Sequence, residues 1–258
     1  MPVLEIQERR MICSGLLFDK DGTLLHFMSL WGGWASYMLQ ALEERLELIG
    51  KGFTGSRDKV LGTLQDSLGQ LYSYDRKGPL AMATAEESIG LLAWQLYAAG
   101  MPWNEALLQV RQMEKNAMVQ VRQTRPAFPM PGLNELLKQC RTLKLPLAVV
   151  TSDTTAAAKE HLAWMGLLEN FPVIIGRDQV KQGKPGPDMA LAACRQLGLQ
   201  PEEVAVIGDS NGDMQMAKQA GCALAIGLYE GDADHGDAQH LVDADLIISD
   251  YNEIRLKA

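Results

Sequence analysis

The chain has little of what marks several large classes of protein. No apolar run in its 258 residues approaches the roughly 20 needed to span a bilayer. Met1 to Met11 is polar and charged, and the apolar stretch behind it is too short for a secretory leader. Cysteine is scarce: Cys13, Cys140, Cys194 and Cys222 form no CxxC pair, and each lies among apolar neighbours. That pattern fits buried free thiols and argues against a disulfide framework or a zinc site. Positive charge is not in excess either. Lys and Arg total 24 against 32 Asp and Glu, a formal charge of −8. Non-specific nucleic-acid binding needs a basic field, so it is not expected. Repeats and low-complexity tracts are absent. These absences predict a soluble, cytoplasmic protein with neither a membrane nor a nucleic acid as partner. An anionic ligand would have to be held by local cations.

What is there is enough apolar material for a sizeable core, 47% of residues, in a chain long enough for one large domain or a core with an inserted module. The apolar run Ile12 to Leu17 reads as a first strand. No strand-like run follows for a long stretch. Leu30 to Ile49 has helical spacing, with Trp34, Met38, Leu42 and Leu46 four residues apart. Thr84-Ala85-Glu86-Glu87 fits a capping box opening a second helix through Tyr97. Trp103 to Val121 reads as a third, with Leu107, Val110, Glu114 and Met118 along one side. Gly52 to Asp75 is read as holding one more helix. The proline-rich Arg125 to Gly132 then reads as a hinge closing the insertion.

Strand and helix alternate afterwards. Strands are predicted at Leu145–Val150, Val173–Ile175, Val204–Ile207, Ala223–Ile226 and Leu246–Ile248. Helices are predicted at Thr154–Met165, Pro185–Leu197 and from about Asp213 to Ala220. Such βα alternation predicts an α/β fold with a mostly parallel sheet covered by helices. Ligands in that architecture bind beyond the carboxyl ends of the strands, where Asp19, Thr151 and Asp209 all fall.

The chemistry starts at Phe18-Asp19-Lys20-Asp21-Gly22-Thr23-Leu24. Two carboxylates two residues apart, with a Gly that lets the chain turn, can divide the work of phosphate ester cleavage. One attacks phosphorus and the other manages a proton. A phosphate dianion repels an attacking carboxylate unless a cation bridges them. Mg²⁺ suits such an oxygen-rich site, and Asp209 and Asp213 supply further oxygen ligands. In this scheme Asp19 is the nucleophile and Asp21 the proton donor and acceptor. Thr151 and Ser152 at a strand end, the permanent charge of Lys184, and the backbone amides of Asp21, Gly22 and Thr23 are the candidate contacts to the substrate phosphate.

Four segments in order carry a family resemblance: Asp19-Lys20-Asp21-Gly22-Thr23 after a strand; Thr151 ending Ala148-Val149-Val150; Gly183-Lys184-Pro185-Gly186-Pro187-Asp188; and Gly208-Asp209-Ser210-Asn211-Gly212-Asp213. Together they resemble the haloacid dehalogenase (HAD) superfamily in its phosphatase branch. The resemblance implies a Rossmann-like core with helices on both faces of the sheet. It also implies Mg²⁺ held by Asp19, the Asp21 carbonyl and Asp209, with Asp213 assisting through water. Residues 1–25 and 129–258 would form the catalytic core and 26–128 an α-helical cap domain like that of phosphoglycolate phosphatases and β-phosphoglucomutase-like enzymes. A small phosphorylated metabolite, with 2-phosphoglycolate the first named example, is the implied substrate. A sugar phosphomutase and a non-catalytic metabolite-binding protein are the alternatives.

Blander roles compete at several positions. Asp209 and Asp213 also suit an N-cap and a first-turn acid. Trp31 and Trp34 suit helix packing as well as a substrate pocket. Asp232, Asp234, His235, Asp237 and His240 lack fixed ligand spacing and read as a solvated loop rather than a metal site.

Overall fold

A computed structural model describes residues 2–229 and 237–258. The chain divides into two compact units, Met1–His26 with Ala127–Ala258, and Phe27–Pro126. The first is built on a six-stranded sheet of β3 (Gly15–Phe18), β6 (Leu147–Thr151), β7 (Val173–Gly176), β8 (Val204–Gly208), β9 (Leu224–Leu228) and β10 (Leu246–Ile248). Their order is β10-β9-β8-β3-β6-β7 and every pairing is parallel.

Side chains alternate across this sheet, as the two-residue period of a strand requires. Leu16, Phe18, Val149, Ala205 and Ile207 join one apolar layer. Leu17, Ala148, Val150, Val204 and Val206 join the other. Helices α6 (Leu133–Thr142) and α7 (Thr155–Trp164) contribute Leu133, Leu136, Leu137, Cys140, Ala158 and Leu162 to the first layer. Helices α8 (Asp188–Leu197) and α9 (Asn211–Ala220) contribute Met189, Ala193, Met214 and Ala217 to the second. Coverage of both faces explains why these strands read as continuous apolar runs. The cysteines are free, with Cys13, Cys140 and Cys194 buried and Cys222 half-buried.

Chain order gives the sheet its functional edge. From β3 the chain fills positions outward through β6 and β7, then crosses back to β8, β9 and β10. The direction of winding reverses between β3 and β8, and a crevice opens beyond the strand ends at such a reversal. Phe18 pairs with Ile207 across this junction, and the Asp19 N–H donates to the Ile207 carbonyl at 2.9 Å.

The first predicted strand is two strands. β2 (Arg9–Ile12) ends at an exposed Ile12, and β3 begins three residues later. Between them Cys13 donates to the Pro2 carbonyl and Ser14 to that of Glu203, which breaks the ladder. β2 instead joins β1 (Val3–Ile6) and β11 (Ile254–Lys257) in a small antiparallel sheet, order β11-β1-β2. Tyr251 lies just before β11, fully buried. Its hydroxyl donates to the Thr23 carbonyl at 3.0 Å, and its ring meets Phe18 at 6.1 Å.

The second unit is mostly helical: α1 (Phe27–Leu48), α2 (Arg57–Leu61), α3 (Pro79–Met82), α4 (Ala85–Ala98) and α5 (Trp103–Thr124). The stripe Trp34, Met38, Leu42 and Leu46 is buried as the spacing predicts, and α4 opens with the Thr84–Glu87 capping box. Trp34 is buried in helix packing, with Trp31 edge-on at 6.0 Å. α5 buries Ala106, Val110, Ala117 and Val121, so its apolar face is rotated from the predicted stripe while still including Val110. The Gly52–Asp75 segment holds short α2 and also a hairpin of β4 (Thr63–Gln65) and β5 (Leu71–Tyr74), which helical spacing did not predict. The Asp66 carboxylate accepts from Leu68 and Gln70 N–H and closes the turn. In β5, Tyr74 is buried and stacks on Phe27 at 4.2 Å while Tyr72 is exposed. Among the described residues no helix is long and apolar enough to cross a membrane.

Tyr251→Phe is expected to lower the unfolding free energy by about 1–3 kcal/mol, because the buried Thr23 carbonyl loses its donor. Urea denaturation checks this as a lower midpoint at unchanged slope. An unchanged midpoint would mean the hydroxyl does not hold this loop.

Candidate active site

Asp19 is the first residue beyond β3 and Asp209 the first beyond β8. Asp213 comes from the first turn of α9, and Lys184 from the loop before α8. Carboxylate oxygens of Asp19, Asp209 and Asp213 all lie within 4.8 Å of one another. The Lys184 ammonium is in close contact with Asp19 Oδ1 and lies 2.6 Å from Asp213 Oδ1. Asp213 and Thr151 are buried, and Lys184 and Asp19 keep only 9% and 10% of their side-chain surface exposed.

The turn that presents Asp19 and Asp21 is tight. The Lys20 carbonyl accepts from Thr23, Leu24 and Leu25 N–H, and Gly22 donates to the Leu25 carbonyl. Gly22 sits at φ +76° with the Asp209 carboxylate directly over its Cα, so a side chain there meets both backbone strain and a steric clash. Thr23 is fully buried and its hydroxyl donates to Asp209 Oδ1 at 3.3 Å. The Gly22 and Thr23 amides, expected as phosphate donors, are therefore donated within the turn. The Thr151 hydroxyl accepts from Asp153 N–H at 3.1 Å, and Ser152 beside it is exposed.

Asp213 combines both roles considered for it. Ser210, not Asp209, is the N-cap of α9, and its hydroxyl accepts from Asp213 N–H at 3.3 Å. The second Asp213 oxygen accepts from Ser210 N–H at 3.2 Å and from its hydroxyl at 2.6 Å. One oxygen thus caps the helix while the other faces Lys184.

Charge balance is the notable electrostatic feature. Burial raises the Asp19 carboxyl from 3.8 to about 7; Lys184 opposes the shift, and Asp213 and Asp21 add to it. Burial alone would lower Lys184, but the facing Asp19 and Asp213 carboxylates outweigh it and hold the ammonium above the ordinary lysine range. Three converging carboxylates against one ammonium leave a negative excess, which a divalent cation would relieve. The donors are hard oxygens, which fits Mg²⁺ in kind.

Sequence reasoning missed several neighbours. His240 was expected in a solvated loop but is buried, with Nε2 at 3.0 Å from the Asp209 carbonyl. Asp232, Asp234 and His235 lie outside the described residues. Lys20, Asp153, His161 and Tyr251 also surround the acidic turn. Only Lys20 and Asp153 carried a signal, their closeness to Asp19 and Thr151 in the chain. A cavity of about 270 Å³ lined by Leu4, Ile6, Met11 and Leu224 lies against the small sheet and contains none of these groups.

The family model for haloacid dehalogenase-like hydrolases matches residues 13–221, a span that includes all four segments. The chain belongs to that family. It is 34% identical over 125 residues to a phosphoglycolate phosphatase of Chromobacterium violaceum, covering 48% of this chain and 54% of that protein. It is 35% identical over 129 residues to a validoxylamine A 7′-phosphate phosphatase of Streptomyces hygroscopicus subsp. limoneus, covering 50% and 58%. The chain spans about half the length of the curated relatives it matches. Among solved structures, a "predicted phosphoglycolate phosphatase" of Haemophilus somnus superposes with a TM-score of 0.66 at 20% identity, covering 93% of this chain and 96% of that one. A β-phosphoglucomutase of Clostridium difficile gives 0.62 at 16% identity, covering 93% and 92%. These structural likenesses show the shared HAD fold.

The raised Asp19 carboxyl has a measurable consequence. In metal-free protein the fold binds this proton more tightly than the unfolded chain does. The contribution favours the fold below about pH 4 and is lost as pH rises through about 7. With chelator present, Asp19→Asn should therefore melt above the parent at about pH 8, and the gap should close toward about pH 5. A parent whose melting temperature exceeds the variant's throughout would overturn the assignment.

Proposed function

We propose that the chain is a Mg²⁺-dependent phosphatase that hydrolyses a small-molecule phosphate monoester through an aspartyl-phosphate on Asp19. The observation that carries this reading is the convergence of Asp19, Asp209 and Asp213 on one point at the sheet's reversal, with Lys184 against Asp19. Asp19, Asp209, Asp213 and the Asp21 carbonyl would hold the cation. Bound there, it would offset the repulsion between the attacking carboxylate and the phosphate dianion.

The chain's own groups supply the rest. An Asp19 oxygen attacks phosphorus as the bond to the leaving oxygen breaks, and Asp21 gives that oxygen its proton. Asp21, now ionised, takes a proton from water as the water oxygen attacks the phosphorus of the aspartyl-phosphate. The P–O bond to Asp19 breaks, inorganic phosphate leaves and both carboxyl groups return to their starting states. Lys184 holds Asp19 in place and offers positive charge to the phosphoryl oxygens, and Thr151 offers a hydroxyl at the same strand ends.

These residues address only what every phosphate monoester shares. Substrate choice is therefore assigned to the helical unit, consistent with the cap role expected for residues 26–128. The two curated relatives named above bear different substrate names at similar identity, which supports a substrate class rather than one compound. 2-Phosphoglycolate is the first to test.

Asp19→Asn should lower kcat by at least about 10³-fold in a protein that stays folded by circular dichroism. Chelation should stop the parent enzyme and Mg²⁺ should restore it. Phosphate release at the parent rate from a chelator-dialysed sample, or from freshly purified variant with deamidation excluded by mass spectrometry, would refute the mechanism.

Replacing residues 27–126 with a short linker should spare hydrolysis of p-nitrophenyl phosphate, whose leaving group needs little help. It should sharply lower kcat/KM for the best metabolite found by screening. An unchanged ranking of metabolites would return specificity to the core.

A further inference from the structure

Lys20 stands between the two acids of the first motif, where a strand end would normally turn a lysine out to solvent. Here its side chain is fully buried. The ammonium lies 2.6 Å from Asp21 Oδ1, 3.0 Å from His161 Nδ1 and 3.3 Å from Asp153 Oδ2. The contacts to Asp21 and His161 are hydrogen bonds, and the one to Asp153 Oδ2 is an ion pair. An ammonium can only donate, so His161 Nδ1 accepts from it, which puts the ring proton on Nε2; the Asp153 carboxylate lies 3.8 Å from the same nitrogen.

The partners come from separate pieces of the core unit. Asp153 follows Thr151 by two residues beyond β6. Its carbonyl accepts from Arg177 N–H at 2.8 Å beyond β7, and one carboxylate oxygen accepts from Thr154 N–H at 2.7 Å. His161 is a fully buried residue of α7, tilted against Trp164 at 4.8 Å. Asp21, by contrast, is half-buried on a turn. The Lys20 carbonyl is also the acceptor for three N–H groups of that turn. One residue therefore fixes the turn through its backbone and reaches the Asp21 carboxylate through its side chain.

We propose that Lys20, anchored by Asp153 and His161, is a positioning residue that fixes the orientation of the Asp21 carboxylate for proton transfer. The inference rests on the reading of Asp21 as the proton donor and acceptor. A carboxylate on a turn can rotate about two side-chain bonds. The contact at Oδ1 restrains that rotation and so sets where the carboxyl group points. A charged lysine paired with two carboxylates also stabilises the fold, so the test must separate orientation from stability.

Proton transfer contributes unequally to the two half-reactions. Release of p-nitrophenolate needs no acid, release of an alkoxide does, and breakdown of the aspartyl-phosphate needs a base in both cases. In Lys20→Met, which keeps the stem and removes the ammonium, kcat/KM for p-nitrophenyl phosphate should change less than about 3-fold. Its kcat should fall at least about 10-fold, with a burst of p-nitrophenol as the aspartyl-phosphate accumulates. For an alkyl phosphate, kcat/KM should fall at least about 10-fold. His161→Leu leaves the charge in place and loosens only the anchor; it should show the same split at smaller amplitude, and it serves if Lys20→Met does not fold. Parent-like kinetics in a folded variant, or equal losses in every parameter for both substrates, would overturn the proposal. Failure of the unmodified protein to hydrolyse either ester would instead refute the phosphatase reading itself.

Discussion

Like charge held close together, out of water, is the constraint on which the rest of the core depends. Asp19, Asp209 and Asp213 bring three carboxylates within 4.8 Å. Left to themselves they would repel, and burial worsens the cost of each. Lys184 offsets part of it by facing two of them. Every neighbour then serves to keep the group assembled. The Thr23 hydroxyl and the backbone of Gly22 pack on Asp209, Ser210 holds the second oxygen of Asp213, and Tyr251 ties down the turn from behind.

The sheet makes this crowding possible without much local strain. β3 and β8 are adjacent parallel strands, so their ends emerge side by side and two acids placed just after them must meet. No long loop has to be ordered to bring Asp19 and Asp209 together. The dense apolar layers on both faces fix those strand ends, and the acids inherit that rigidity. Gly208, the last residue of β8, shows how little slack remains, since a Cβ there would overlap the Asp213 side chain.

Legibility in the sequence followed the same division. The parallel strands were readable because burial on both faces makes them short continuous apolar runs, and Asp19, Asp209, Asp213 and Lys184 were readable because short motifs carry them. The β4–β5 hairpin was missed because its strands are three and four residues long and its register is set by one Asp66 turn, too brief for a period to emerge. The N-terminal sheet was missed because β2 is mostly exposed and polar, and because β1, which pairs with it, finds its other partner, β11, only at the far end of the chain. His161 and Tyr251 had no signal at all. A histidine in a helix and a tyrosine near a terminus declare nothing until the fold shows what they touch.

Lys20 sharpens that last point. In sequence it looks like a spacer between two acids, and strand alternation would send it away from both. The turn that follows overrides the alternation, because its own carbonyl gathers three N–H groups and curls the chain back on itself. Once curled, a lysine stem has the reach to enter the space behind Asp21. Burial of that charge is tolerable only if it is paired and hydrogen-bonded; Asp21 and His161 accept hydrogen bonds from it, and Asp153 adds a second ion pair. The requirement is mutual: without the ammonium, Asp21 and Asp153 would face each other as unscreened carboxylates next to an already crowded acidic centre. A spacer position has thus become part of the charge balance that permits the centre to exist.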